Sequence, residues 1–348
     1  MFLRYKIKPI SPMMTPLMSD TLFGHFCWAV RYKKGEDYLE NFLSFYKKGN
    51  PPPVLFSSAV ASGYLPRPVL PSLKRKQTYE FVEKFFIRDP DNLFSDKTIQ
   101  QKRFEGMLKI KEWNKRQLIS KEDWQALKEN YSEYGLLERF YQQFKENSDK
   151  DTTLSVSEIT ASNTINRITG SVQEDGGGLF SREKTWFSAS IELDLYVETI
   201  TDEFTAIAKW FLENYLPENG FGKDKSTGMG SLDISEDRTF NPDIFKIDSA
   251  NAVMVMSLCS FEGMENHSSF YRLKTKFGRL GGDFAFSSPT GGEPKPFKKP
   301  ILMMEPGSIL FTTEPISANC LISGVHSDER IRHCGLPVTL PLKIMEEK

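Results

Sequence analysis

The chain has 348 residues, 39% hydrophobic and 26% charged, which is room for two domains with cores of their own. Its formal net charge is −1, so no global field draws in nucleic acid and any basic surface must be local. The four cysteines and four histidines lack zinc-site spacing, MFLRYKIKPIS lacks a signal-peptide core, and no apolar run approaches a membrane span; a reduced, soluble, cytoplasmic protein without metal or cofactor is expected.

Taken in order, residues 2–10 alternate, with Leu3, Tyr5 and Ile7 on one side and Arg4, Lys6 and Lys8 on the other, the pattern of a first strand. After a connection rich in Pro, Met and Ser, Ser19 or Asp20 is placed to cap the helix TLFGHFCWAV, apolar nearly all round and therefore expected against a sheet. The stretch from Pro51 to Pro71 reads as a proline-studded crossing with no regular pattern. From Lys74 the texture turns helical, and Trp124, Leu127, Tyr131, Leu136, Leu137, Phe140 and Phe144 recur at helical spacing. We read residues 74–148 as a helical insertion. Within it, residues 97–128 carry nine Lys/Arg against four Asp/Glu. A solvated face is the commoner meaning of such a run, and RNA contact is the alternative.

Residues 152–199 resemble a long hairpin. Leu154, Val156 and Ile159 begin it, and NTINRITGSVQEDGGGLFSREKTW forms its tip. Its last arm points Ile191, Leu193, Leu195 and Val197 inward and Glu192, Asp194, Tyr196 and Glu198 outward. Thr201 then caps an amphipathic helix, marked by Phe204, Ile207, Ala208, Phe211, Leu212 and Tyr215, which Pro217 is expected to stop. The loop GFGKDKSTGMG follows, and Leu232 and Ile234 open a closing strand. Strand, helix, strand, strand, helix, strand is the ferredoxin-like order of an α+β protein. Because Glu192 and Asp194 are acidic and not aromatic, the sheet's outer face is a poor platform for stacked bases, unlike that of an RRM. Any RNA is left to the loops and the hairpin.

Asn241-Pro242-Asp243 marks a boundary between a first unit, 1–240, and a second, 241–348. The second opens on the apolar run Ala252–Phe261, suited to a strand buried on both faces. Residues 271–282, 290–300, 307–312 and 336–342 supply further strands and turns. Residues 272–299 form a second basic patch, seven Lys/Arg against Asp283 and Glu293.

The glycine loop carries the chemistry. It is no P-loop, since Gly222-Lys223 is followed by Asp224 where Ser or Thr is required, and it closes a helix instead of opening one. Four glycines in eleven residues free the backbone to turn its amides toward an anion, and Lys223 and Lys225 add charge. A flexible surface loop is the competing reading. Asp224 is either a turn residue or a local partner for one of the lysines. His25 has the chemistry of a general acid or base for cleavage through a ribose 2′-OH, although Phe23, Phe26, Cys27 and Trp28 favour a structural histidine. His333 reads as a strand-end contact. Trp186 and Phe187 either support the hairpin base or stack on a base. Gly281-Gly282-Asp283 invites a cyclase-like metal reading, but without a second carboxylate a tight turn explains it better.

Together SDTLFGHFCWA, NTINRITG followed by GLFSREKTWF, GFGKDKSTGMG, KPFKKPILMMEPGS and IRHCGLPVTLPL resemble the RAMP superfamily of CRISPR proteins. More narrowly, they are similar to the family of fourth Csm subunits in type III-A effector complexes. The likeness spans most of the chain apart from the helical insertion. It implies two ferredoxin-like (RRM-like, RAMP) domains, a grip on the 5′ tag of crRNA, and contacts with a large polymerase-like subunit and a repeating backbone subunit. It implies phosphate contacts from Gly220, Gly222, Lys223, Lys225, Ser226, Gly228 and Gly230. From the hairpin it implies Asn166, Arg167 and Thr169, in a segment that wedges against RNA in such proteins. A related class of crRNA-processing ribonucleases places a catalytic histidine where His25 lies.

Overall fold

A computed structural model describes residues 1–47, 49–146, 155–172, 178–261, 268–285, 295–312 and 321–345. Leu154, the five hairpin-tip residues 173–177, Glu293 and the first part of the expected strand at 290–300 lie outside the described residues. The chain runs β1 (Phe2–Pro9), α1 (Ser19–Lys34), α2 (Glu36–Ser44), β2 (Val54–Phe56), β3 (Val60–Ala61) and β4 (Tyr64–Pro66). The largely helical stretch expected as an insertion follows as α3 (Arg75–Val82), α4 (Ile99–Trp113), β5 (Leu118–Ser120), α5 (Lys121–Leu127) and α6 (Glu133–Lys145). Then come β6 (Ser155–Asn163), β7 (Leu179–Phe187), β8 (Leu193–Thr199), α7 (Asp202–Trp210), α8 (Leu216–Asn219) and β9 (Leu232–Glu236). The last third holds β10 (Ala252–Val255), β11 (Ser269–Phe270), β12 (Leu273–Lys276), β13 (Ile301–Met304), β14 (Ile309–Leu310) and β15 (Thr339–Leu342).

The first sheet is ordered β2-β8-β1-β9, with β3 also on β8 and every neighbour antiparallel. Tyr5 faces Leu195 and Ile7 faces Leu193, so the apolar alternation of β1 meets that of β8 on one side. α1 lies on that side, where Phe26 meets the rings of Phe56 and Phe211 edge-on at 5.4 and 5.3 Å.

Several details depart from what the sequence pattern predicts. The second strand of this sheet is β2, not the first arm of the hairpin. Three residues directly after Pro51-Pro52-Pro53 are too few to show an alternation. The hairpin is instead a separate ribbon of β6 and β7, and β8 belongs to the main sheet. The helix begun at Thr201, whose hydroxyl accepts from the Phe204 N–H, does not stop at Pro217. It passes through a π turn at Phe211–Tyr215 and ends before Gly220, Pro217 sitting in the first turn of α8 where its missing N–H is harmless. The start of α1 has no side-chain cap, because the Ser19 hydroxyl accepts from the Leu258 N–H.

The outer face of the sheet is not open. Asp194 and Tyr196 are fully buried, with Tyr196 packed on Phe2, Phe240 and Phe245 and Asp194 paired with Lys121 of α5. The covering pieces come from more than forty positions away on either side, so local alternation could not announce them. Parts of the basic runs are answered by acids. In the insertion Lys97 pairs with Glu105, Lys102 with Asp89 and Lys109 with Glu112. In the second patch Arg272 and Lys274 face Glu305 and Lys276 pairs with Asp20.

The second sheet is ordered β11-β14-β10-β15, again antiparallel throughout, with β12 and β13 paired beside it. The run expected as one long strand is β10 plus a buried but non-strand continuation through Ser260. Buried serines tie the two sheets together. The Ser19 N–H donates to Ser58 Oγ (3.2 Å), the Ser58 N–H to the Met256 carbonyl (2.9 Å), and Ser257 Oγ to the Phe56 carbonyl (2.9 Å). One continuous apolar cluster reaches from Tyr5 and Phe26 to Met254, Leu340 and Ile344. No helix among the described residues is long and apolar enough to cross a membrane.

Candidate nucleic-acid interface

The glycine loop leaves α8 and returns along β9, and most of its amides are spent holding its own shape. The Phe221 N–H donates to the Gly230 carbonyl (2.8 Å) and the Gly230 N–H to the Pro12 carbonyl (2.9 Å), which pins the neck of the loop to the connection after β1. The Gly222 N–H donates to His25 Nε2 (3.2 Å) and the Lys223 N–H to Thr15 Oγ1 (3.0 Å). The Gly220 amide is taken by the Leu216 carbonyl and that of Gly228 by the Lys225 carbonyl. The amides of Asp224, Lys225 and Ser226 have no partner among the described residues. Asp224 takes a left-handed conformation there (φ 59°), and the side chains of Lys223, Lys225 and Ser226 are exposed around it. Outward amides and cations are thus concentrated in four residues at the apex, and the glycines build the frame.

Gly222 is fixed by space as well as by backbone. It sits at φ 81°, and a Cβ there would meet Thr15 Cβ at 2.5 Å. Close approach of the bare backbone lets Thr15 and His25 reach the two adjacent amides.

His25 is thereby assigned a structural duty. Its Nε2 accepts from Gly222, its ring lies 4.8 Å from that of Phe221, and burial, aided by the Lys225 charge, pulls its pKa down to about 4. The folded protein therefore favours the neutral ring, while an unfolded chain protonates near the ordinary value of about 6.5. The latch contributes fully above that value and is lost as pH falls toward 4. The melting-temperature advantage of the wild type over His25→Ala is expected to be largest at pH 7 and to shrink steadily by pH 4.5. A difference independent of pH would remove the latch.

The ribbon meets the loop at its flank. Arg182 of β7 lies 3.5 Å from Asp224, so Asp224 is tied to the ribbon and not to Lys223 or Lys225. Thr185 exchanges both backbone bonds with Met13 (2.9 and 2.8 Å), fixing the base of β7 against the segment that carries Thr15. Phe187 packs against the core, while Trp186 stays on the ribbon and donates to Glu158 (2.8 Å). At the far end, Ile165 pairs with Val172, and Asn166 shapes the turn by accepting the Ile168 N–H at 2.9 Å. The Thr169 hydroxyl bonds Ser171, and Arg167 and Ile168 are exposed at the apex. Thr160 faces Arg182, and seven residues separate it from Arg167, roughly 23 Å at strand rise. The loop and hairpin candidates therefore form two stations along one ribbon and not one pocket. Thr15 and Arg182 were invisible in the sequence, since each is defined by what the fold brings to it.

His333 is buried, with Lys298 at 3.4 Å from one ring nitrogen and Met303 Sδ at 3.3 Å from the other. Gly281 and Gly282 lie on the face of Trp28, where a Cβ would come within 2.9 and 2.5 Å of its ring atoms, so the turn is a packing device for α1. Among the described residues no group of three or more His, Cys, Asp or Glu is arranged to hold a metal.

No family model and no curated protein sequence matches the chain. Solved structures do. A chain of a Csm1–Csm4 cassette in complex with pppApA is 15% identical, with a TM-score of 0.53 over 99% of both chains. A chain of the Csm1–Csm4 cassette in complex with cA4 is 14% identical, with a TM-score of 0.53 over 100% of both. A chain of a Csm3–Csm4 subcomplex of the type III-A CRISPR-Cas interference complex is 14% identical, with a TM-score of 0.53 over 98% of this chain and 99% of that one. This chain shares their fold. At that identity the likeness shows the fold and leaves residue roles to the chemistry described above.

Proposed function

We propose that the chain is a non-catalytic RNA-binding subunit of a type III-A CRISPR effector complex acting in antiviral defence. It holds the 5′ tag of crRNA, docks a large polymerase-like subunit, and has a repeating backbone subunit as its other neighbour. The second-third-first-fourth strand order of both sheets supports reading them as two ferredoxin-like units, the second without an α-helix among the described residues. The observation that carries the reading is the apex Lys223–Ser226. Free consecutive amides and two lysines there are held rigidly beside a projecting ribbon that ends in Arg167. Amides and lysines grip a phosphate backbone without reading sequence, and Arg offers a flat donor fork for phosphate or a stacked base. The motif order and the end-to-end fold likeness to Csm1–Csm4 and Csm3–Csm4 chains point the same way.

A tagged copy purified from its native host is expected to bring down guide-length RNA and two further proteins. Incubated with repeat RNA in EDTA, wild type and His25→Ala are expected to leave the RNA equally intact. Histidine-dependent cleavage would replace this reading by that of a processing ribonuclease, and purification without RNA by that of a protein scaffold.

A further inference from the structure

We propose that the outward face of α4 is the docking surface for a protein presenting acidic side chains around an apolar centre. The helix is held to the insertion by one side. A Cβ at Gly106 would meet the Phe86 ring at 2.9 Å and Val82 Cγ1 at 3.0 Å, so α4 is pressed directly onto α3 and the π turn Glu83–Ile87 that continues it. Ile110 and Trp113 are buried on that same side. The opposite side should therefore be polar. Instead Phe104 is 65% exposed, Leu108 47% and Met107 40%, with Met107 and Leu108 three and four residues on from Phe104, the spacing that makes one stripe. Beside Arg103 lies a groove of about 500 Å³ lined also by Tyr79, Glu80, Val82, Glu83 and Ile87, its two glutamates paired with Lys76 and Arg88.

Charge selects the occupant. Arg103, Lys111 and Lys115 are exposed on this face, and none has an ion-pair partner among the described residues. The two acids of α4 are turned aside, Glu105 to Lys97 and Glu112 to Lys109, both at 3.0 Å. An apolar stripe edged by three unanswered cations complements an apolar patch edged by carboxylates. A second copy of this chain does not fit, because a two-fold contact would set the three cations against their own images. Nucleic acid is the rival occupant that the test separates, since Phe104 is the one ring on the stripe and Met107 and Leu108 offer none to a base. Equating the partner with the large subunit rests on the function proposed above, whereas the docking face does not.

The test places the photoreactive residue benzoylphenylalanine at position 104 of the tagged full chain, purifies the irradiated complex from the native host, and maps the cross-linked peptide. The expected adduct is an acid-rich segment of another protein, falling at least tenfold when Arg103→Glu, Lys111→Glu and Lys115→Glu are combined. Melting temperature and co-purifying RNA should stay unchanged in that variant. An adduct with RNA, one with a second copy, one indifferent to charge reversal, or none above a control at Glu129 would each overturn the inference. An acidic adduct on a protein other than the large subunit would sustain the face while overturning the assignment of that neighbour.

Discussion

Gly230→Ala is expected to dismantle the glycine loop and abolish retention of RNA, while Gly228→Ala, two residues away, leaves most of both intact. Each position lies at positive φ, 67° and 87°, so each substitution carries the left-handed cost of about 1–3 kcal/mol. They differ in space. A Cβ on Gly228 has nothing within 4 Å, whereas one on Gly230 would be driven into the Phe221 carbonyl. That carbonyl belongs to backbone, and no rotamer change can clear it. The chain must move at the neck, where Phe221 donates to Gly230 and Gly230 to Pro12. Once those bonds open, the Thr15 and His25 contacts at Gly222 and Lys223 lose their register. Thermal melts of the two variants beside the wild type, with RNA retention measured on the same preparations, check this. Equal losses in the two would mean that backbone strain alone, and not the fit of the neck, holds the apex in place.

Much of this architecture was legible in the chain itself. Alternation in β1 and the capped helix at Thr201 follow from residues within a few positions of one another, and the structure has both, while the apolar run at Ala252 is buried but is strand only over β10. What escaped was decided at long range. β2 is a strand because β8 lies beside it, not because Val54-Leu55-Phe56 shows a pattern. Asp194 is an inner residue because Lys121, 73 positions earlier, reaches over it. The glycine loop was found by composition, but composition could not say which amides would be free. The four glycines turned out to be the frame, and the outward donors sit on Asp224, Lys225 and Ser226, between Gly222 and Gly228. His25 drew attention as a possible acid or base because histidine is rare in this chain. Its role as acceptor for Gly222 needed the loop folded back on α1.

The second large effect concerns the two lysines at the apex, and it is a change in salt dependence more than in fold. Lys223 and Lys225 are exposed and make no ion pair among the described residues, so removing both side chains leaves the frame of the loop untouched. If each neutralises one phosphate, each contributes about 0.7 to the slope of log affinity against log salt for a single strand. The double variant Lys223→Ala with Lys225→Ala should then lose about 1.4 of that slope. Filter binding of guide RNA by the purified chain, repeated over a series of salt concentrations for wild type and the double variant, measures this directly. A slope flattened by about 1.4 at unchanged melting temperature is the predicted result. An unchanged slope would mean that RNA does not lie across the apex of the glycine loop, and the proposed grip on the guide would fail with it.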